Sequence, residues 1–380
     1  MSKSKKITFI VNHAAYLVSH RLKIVEKLIR DGWNCQILIG EAGSEIMEKD
    51  AYRILNEKKI SFTKNDFDTS GYGIKNLIGF FQIFLNLFRF KPDIVHLVSP
   101  KAIFIGGVAC RLLKLNLTVI AITGVGTIFL SKEGIAKKII KSIYFIFLKF
   151  IFKNKKKKII FQNNHDIFEF KKIFNIRNED IKIIPGSGVE INDQLIKNRD
   201  LSKKSIVLPA RLLVEKGINE FVEAAKILKK KYTDWNFFLA GVADYNNPSS
   251  IKIKKLKEWQ NMGIIKWLGY ISDTKKLYSE CSIVCLPSYR EGFPKCLIEA
   301  ASFGIPIVTT NVPGCRDAII PNETGLLVEP KDAKSLVDGL DKLIRDKNLR
   351  IIFGNNGYNL AKEKFDIKNV IDKTFEIYNY

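Results

Sequence analysis

The chain reads as an α/β protein of two doubly wound, Rossmann-like domains facing across a ligand cleft. Three observations lead there. Apolar strand-like runs alternate with helical patterns from end to end, as expected of parallel sheets covered by helices. The alternation pauses once, from Pro185 to Lys204, where the sequence turns polar, irregular and rich in Asn, Asp and Lys. The length of 380 residues suits two domains that can each bury a core.

In the first series the predicted strands are Ile7–Val11, Gln36–Ile39, Ile94–Val98, Thr118–Ile122, Ile159–Phe161 and Ile181–Ile184. Helical patterns fall between them near 19–31, 44–58, 74–90, 101–114, 135–153 and 165–174. The second series predicts strands at Ile206–Leu208, Phe237–Ala240, Ile264–Trp267, Ile283–Leu286, Ile307–Thr309 and Gly325–Val328. Its helices fall near 217–230, 250–261, 274–280, 294–303 and 333–345, and 348–364 and 367–380 read as helices with no strand between them. The expected divisions are a first domain over 1–188, a linker over 189–204 and a second domain over 205–365. A terminal helix over 366–380 is expected to pack back on the first domain. Ligands of such domains bind at the carboxyl ends of the strands.

Composition narrows the class. Charged residues make up 27% and hydrophobic ones 46%, as in a folded soluble protein, but the net charge is +23. Up to Gly188 there are 32 Lys and Arg against 15 Asp and Glu, so most of the excess is N-terminal and asks for an anionic partner there. The six cysteines are scattered and mostly in apolar settings, which fits reduced, buried thiols of a cytosolic protein. His is too sparse to complete a zinc site with Cys281 and Cys285. The apolar run Ile7–Val11 is too short for a signal-peptide core. The longest apolar candidate for a span, Leu77 to Phe88, is interrupted by Gln82 and Asn86.

The chemistry concentrates around Ser288-Tyr289-Arg290-Glu291-Gly292-Phe293-Pro294, which runs on through Glu299 to Gly304-Ile305-Pro306. It reads as strand, acidic loop, short helix, strand, with Pro294 at the helix start and Gly304 just past its end. Backbone N–H groups at that start attract a phosphate, and a carboxylate on either side accepts hydroxyls of whatever carries it. After the second domain's first strand comes Ala210-Arg211-Leu212-Leu213-Val214-Glu215-Lys216-Gly217, whose two cations suit a diphosphate. In the first domain Asn12-His13-Ala14-Ala15 follows the first strand, and Ser19-His20-Arg21 is expected to open the helix. Those residues suit either an acceptor phosphate or a plain capped helix with surface His.

These segments resemble the retaining GT-B glycosyltransferases of family 4. Glu291 and Glu299 fit that family's Glu-x7-Glu signature, extended by Glu-Gly-Phe-Pro and by Glu-Ala-x-x-x-Gly-x-Pro-Ile-Val. Arg211 and Lys216 fit its Arg-x4-Lys-Gly motif. The resemblance implies that Arg211 and Lys216 bind the donor diphosphate, Glu291 the donor-sugar hydroxyls and Glu299 the ribose hydroxyls. It gives Gly292 and Phe293 N–H groups to the phosphates, and Tyr270 and Ile271, in Gly269-Tyr270-Ile271-Ser272-Asp273, to the base. Thr123-Gly124-Val125-Gly126 resembles the branch that builds capsule, O-antigen and lipid-linked glycans, with Gly124 near the donor sugar where many relatives have a His. Pro185-Gly186-Ser187-Gly188-Val189-Glu190 is similar to that branch too, with Glu190 for the usual Asp. Ala14-Ala15 departs from the Gly-Gly loop common in the family. His13, His20 and Arg21 remain the candidates for acceptor binding.

The segment Ile135 to Lys158 carries nine lysines among aromatic and aliphatic residues. On a wheel of about 100° per residue, Lys137, Lys138, Lys141, Lys149 and Lys153 fall on one side together with Phe145 and Phe152, a face suited to an anionic lipid surface. A core helix with a solvated basic face is the other reading. No module for nucleic acid accompanies the tract.

The sequence therefore predicts a metal-independent glycosyltransferase with no cofactor. It moves a sugar from a nucleotide diphosphate sugar, a UDP-sugar by expectation, to a polyprenyl-diphosphate-linked glycan. The expected location is cytoplasmic and peripheral, on the inner face of the cytoplasmic membrane. A non-catalytic membrane-bound scaffold and a nucleotide-sugar epimerase on the same fold are the alternatives.

Overall fold

Apolar runs that are buried on both faces make two all-parallel sheets, one in each of two compact units. The computed structural model describes residues 4–41, 44–68, 73–124, 135–197, 199–200, 202–244 and 247–379. One unit takes Met1–Ile184 with Ile371–Tyr380, the other Pro185–Val370. The stretch 189–204, read from the sequence as a linker, lies in the second unit and carries the short helix Asp193–Lys197.

In the first unit seven strands lie in the order β3 (Thr63–Asp68), β2 (Asn34–Glu41), β1 (Lys6–Val11), β4 (Ile94–Val98), β5 (Leu117–Ile122), β6 (Lys157–Phe161) and β7 (Ile181–Ile183). The direction of travel across the sheet reverses between β1 and β4, which is the switch point of a doubly wound sheet. Helices Ile74–Phe90, Pro100–Leu112 and Ile135–Phe152 follow β3, β4 and β5 and share one core with Ile10, Leu97 and Phe161. From the terminal helix Ile367–Tyr378, Tyr378 shares a hydrogen bond with buried His96 of β4, and its ring tilts against Trp33 at 6.1 Å.

Two local expectations change. The helix after β1 opens at Ala14, not Ser19: His13 is its N-cap, and Ser19 and His20 lie in its last turn. Arg21 then breaks the helix with φ −131° before Leu22–Arg30 begins. The lysine-rich helix turns Tyr144, Leu148, Ile151 and Phe152 into the core. Phe152 meets Phe174 at 5.1 Å and Phe145 meets it at 5.6 Å, so these two rings face protein instead of lipid. Lys149 and Lys153 are exposed, and Lys141 lies 5.7 Å from the Phe145 ring. The side chains of Lys137 and Lys138 lie outside the described residues. Lys157 and Lys158, at the end of the tract, are buried in β6, where Lys157 pairs with Asp180 at 2.7 Å.

The second unit has six strands in the order β10 (Lys266–Gly269), β9 (Asn236–Ala240), β8 (Ser205–Pro209), β11 (Ile283–Leu286), β12 (Ile307–Thr310) and β13 (Gly325–Val328). Its switch point lies between β8 and β11. The loops that leave the carboxyl ends of those two strands are 210–217 and 287–294, and they carry Arg211, Lys216 and Glu291.

Candidate active site

The two switch-point loops are bound to each other. Tyr289 N–H donates to the Glu215 carbonyl at 2.9 Å, and the Ser288 hydroxyl donates to the same oxygen at 3.0 Å. The Tyr289 hydroxyl reaches back to the Glu220 carboxylate at 2.7 Å. Gly217 permits this closeness: it sits at φ +72°, and a Cβ there would lie 2.1 Å from the Pro287 carbonyl oxygen. Gly314, at φ +80°, does the same from below, since its Cβ would lie 2.5 Å from the Gly292 oxygen and 2.6 Å from that of Glu291.

The loops thus place the Lys216 ammonium directly against the Glu291 carboxylate. The two side chains are 16% and 12% exposed, so each is a charge largely withdrawn from water and satisfied chiefly by the other. Arg211 is different. It is 57% exposed, and among the described residues its guanidinium pairs with Asp244, at 3.9 Å.

Glu299 lies in the helix Lys295–Ser302, which starts after Pro294 and ends before Gly304 at φ +64°. One carboxylate oxygen accepts the Tyr278 hydroxyl at 3.0 Å, and the other lies 3.3 Å from the Lys295 ammonium. Tyr278 is buried, and burial followed by the nearby Glu299 charge pushes its phenol well above the ordinary range, so the hydroxyl stays protonated and can donate to Glu299. The helix start has no side-chain cap and no acid in its first turn, which leaves its field positive toward an incoming anion. Phe293 turns its ring inward to Phe365 at 5.4 Å, which leaves its backbone, not its ring, at the helix start. Cys296 is half-buried near Glu291 and Glu299; burial first, then those carboxylates, raises its thiol far above the usual value.

Tyr270 and Ile271 follow β10 and are half-buried. The adjoining Trp267 indole donates to the Gly241 carbonyl at 2.9 Å, which fixes that edge of the sheet. Gly124 is the last described residue after β5, at φ +131°; Val125 and Gly126 lie outside the described residues.

At the other helix start, after β1, an internal anion is already seated. Glu48 accepts the Ala14 N–H at 3.1 Å and the Ala15 N–H at 2.8 Å, and its carboxylate lies 3.4 Å from His13 Nδ1. Burial opposes its ionisation, but the His13 and Ala15 hydrogen bonds outweigh that and hold its carboxyl below the ordinary range. His20 stacks on Tyr16 at 4.2 Å, and Arg21 is buried with its Nη1 on the His20 carbonyl at 3.0 Å. Sequence reasoning did not anticipate Glu48, Tyr278 or Gly314. Lys295 alone had a visible signal, its four-residue spacing from Glu299. Among the described residues no group of three or more His, Cys, Asp or Glu is placed to hold a metal ion.

Comparison with known proteins places each unit in a described family. The model of the glycosyl transferases group 1 matches residues 191–360, and that of glycosyl transferase 4-like domains matches 6–163. The N,N'-diacetylbacillosaminyl-diphospho-undecaprenol alpha-1,3-N-acetylgalactosaminyltransferase of Campylobacter jejuni is 29% identical over 319 residues, covering 80% of this chain and 81% of that one. The UDP-Gal:alpha-D-GlcNAc-diphosphoundecaprenol alpha-1,3-galactosyltransferase of Escherichia coli is 26% identical, with 78% and 79% covered. Anabaena HepE, solved in complex with UDP and glucose, shares the fold with a TM-score of 0.76 at 18% identity, over 99% of both chains. With one model on each of its two parallel-sheet units, the chain belongs to the GT-B glycosyltransferases, a glycosyl transferase 4-like domain followed by a group 1 glycosyl transferase domain.

Proposed function

We propose that this glycosyltransferase moves a sugar from a UDP-sugar to a hydroxyl of a polyprenyl-diphosphate-linked glycan, with retention at the anomeric carbon. The pairing of Lys216 with Glu291 at the switch point, beside the uncapped start of the Glu299 helix, is the observation that carries this reading. A diphosphate at that helix start takes the Lys216 ammonium from Glu291, and Arg211 supplies the second cation. Glu291, released, accepts hydroxyls of the donor sugar, while Glu299, already oriented by Tyr278, accepts those of the ribose.

The bond from the anomeric carbon to the diphosphate oxygen breaks, and UDP leaves with the electron pair. Lys216 and Arg211 neutralise the charge that develops there. The acceptor hydroxyl oxygen bonds to the same face of the anomeric carbon, and its proton passes to the departing phosphate oxygen. Gly124 is assigned to the donor-sugar side, Tyr270 and Ile271 to the base, and His13, His20 and Arg21 to the acceptor side. The undecaprenol-diphosphate names of the two relatives support a lipid-linked acceptor, as does the UDP of the HepE complex a UDP donor.

No helix among the described residues is long and apolar enough to cross a membrane. Work on a lipid-linked acceptor then takes place at a membrane surface, here assigned to the inner face of the cytoplasmic membrane, to which the N-terminal excess of Lys and Arg is suited.

The test is turnover of purified protein with a panel of UDP-sugars and a polyprenyl-diphosphate-linked saccharide. We expect one sugar to give acceptor-dependent UDP release and a product whose anomeric configuration, read by NMR, matches the donor. Inverted product, or no turnover with any UDP-sugar, overturns the reading.

A further inference from the structure

Helix Ile74–Phe90 presents an unexpected face. Ile74, Leu77, Ile78, Phe81, Leu85 and Phe88 are all exposed, Ile74 to 79%, although each is a large apolar residue. On a helical wheel they fall within about 100° of one another. The core side of the same helix, Gly79, Ile83 and Leu87, lies opposite them. The lysine-rich helix Ile135–Phe152 repeats the arrangement. Ile143, Ile146, Phe147 and Phe150 are exposed and form a second stripe of about 100°, away from the buried Tyr144, Leu148 and Ile151.

The two stripes belong to one surface. Both helices pack on Pro100–Leu112 on the same side of the first sheet, and Phe104 of that middle helix touches Phe147 ring to ring at 5.0 Å. Leu112 of the middle helix is exposed as well. Eleven of the 18 exposed large hydrophobics among the described residues lie on these three helices, far more than scattered surface residues would put there.

Charge says what covers this surface. The charged residues of all three helices are Lys or Arg, with no Asp or Glu among them. Lys149 and Lys153 flank the second stripe, Arg111 lies 5.6 Å from the Phe150 ring, and Arg89 is exposed in the last turn of the first helix. Two copies of so uniformly basic a face repel each other, whereas an anionic bilayer attracts the cations and takes up the apolar side chains.

We infer that the helices Ile74–Phe90 and Ile135–Phe152 together form a bilayer-inserting surface. The aliphatic and aromatic stripes enter the acyl boundary, and the flanking Lys and Arg meet anionic headgroups. The inference rests on the proposed membrane location and deepens it: the apolar anchor is carried in large part by the acid-free helix Ile74–Phe90, outside the lysine tract. The starts of both helices lie at the carboxyl edge of the first sheet, after β3 and β5, so the surface reaches the same edge as the candidate acceptor residues.

The experiment is flotation of the full chain with phosphatidylglycerol vesicles and with phosphatidylcholine vesicles. Leu77→Ser, Phe81→Ser and Phe88→Ser are combined in one variant. The native chain is expected to float with phosphatidylglycerol, and the variant to lose at least tenfold in affinity. UDP release from the UDP-sugar onto a water-soluble acceptor should be unchanged, because none of the three residues belongs to the donor site. In parallel, Phe81→Trp keeps the face apolar, and its added fluorescence should be quenched by brominated phosphatidylglycerol.

A triple variant that floats as the native chain does, or a Phe81→Trp variant whose added fluorescence brominated lipid leaves unquenched, overturns the inference. A concentration-dependent dimer dissolved by the triple variant overturns it as well, by showing a second copy on this face. If the native chain floats as predicted but turns over no UDP-sugar, the transferase reading fails and the docking surface stands.

Discussion

The Lys216 ammonium and the Glu291 carboxylate neutralise each other at the switch point of the second sheet, with both side chains mostly withdrawn from water. Under the proposed mechanism the pairing has a kinetic consequence, because the donor diphosphate exchanges this ion pair for its own. If Lys216 neutralises the developing charge as proposed, Lys216→Ala should lower kcat about 10²–10³-fold. Glu291→Gln keeps the shape and should cost about 10–100-fold in kcat/KM, the scale of lost hydrogen bonds to a charged group. Because each single change leaves the other charge unpaired, the double variant should lose less than the sum of the two free energies. Steady-state kinetics of the four proteins read this directly, and strict additivity would show that the residues act independently.

Tyr278 orients Glu299 from a helix far from it in sequence, with the hydroxyl 3.0 Å from the carboxylate. Tyr278→Phe removes that donor and should weaken UDP binding about fivefold, the scale of one hydrogen bond near 1 kcal/mol. If Glu299 holds ribose hydroxyls, the loss should shrink when 2'-deoxy-UDP replaces UDP in calorimetric titration. An equal loss for both nucleotides would place the effect elsewhere.

Gly314 and Gly32 share a φ of +80°, but their surroundings differ. A Cβ at Gly32 meets nothing within 4 Å, while at Gly314 it meets the carbonyl oxygens of Glu291 and Gly292. Gly32→Ala should cost only the left-handed backbone penalty, about 1–2 kcal/mol. Gly314→Ala should cost more and should also displace the loop that carries Glu291, so turnover falls together with the melting temperature. Equal melting losses in the two variants, with activity retained in Gly314→Ala, would refute the supporting role of that contact.

Much of this fold could be read from the chain because its central strands are buried on both faces and so appear as unbroken apolar runs, as in Ile94–Val98 and Ile283–Leu286. Strand β3 could not, since Thr63-Lys64-Asn65-Asp66-Phe67-Asp68 is an edge strand with Phe67 as its one apolar anchor. The site divides along the same line. Arg211, Lys216, Glu291 and Glu299 stand in short motifs whose spacing follows the chain, and so they were visible. Tyr278 reaches Glu299 across 21 residues and Glu48 reaches Ala14 across 34, contacts that only the packing of separate helices creates. Charge counting found the basic half but not the apolar stripe beside it, because a helix apolar on most of its surface gives no sign of which side the core will cover.

Phe150 and Phe152 are two residues apart on one helix and face different media. Phe152 is buried against Phe170 and Phe174, whereas Phe150 is 37% exposed. Phe152→Ala should therefore destabilise the first unit by about 3–5 kcal/mol, the cost of emptying a packed aromatic site. Phe150→Ala should leave the melting temperature within a few degrees of the native value and act instead on vesicle binding. Denaturation and flotation on the same two variants separate these effects, and the opposite pattern would reverse the assignment of the two faces.

His96 gives the first unit an acid sensitivity. It is fully enclosed in β4 and shares a hydrogen bond with Tyr378, and among the described residues its Nε2 has no partner. Burial first, then the nearby Arg21 cation, holds its pKa well below the ordinary 6.5. The folded protein therefore keeps His96 neutral at a pH where the unfolded chain has already taken up a proton. The unfolded state binds more protons there, so stability falls as pH drops below 6.5 and is unaffected above it. For one such group the full slope is about 1.4 kcal/mol per pH unit. Urea denaturation at pH 7.5, 6.5 and 5.5 should show the native chain losing about 1 kcal/mol more than His96→Gln over the last step. Parallel pH profiles for the two proteins would mean that His96 becomes protonated in the folded state and that its enclosure is not maintained.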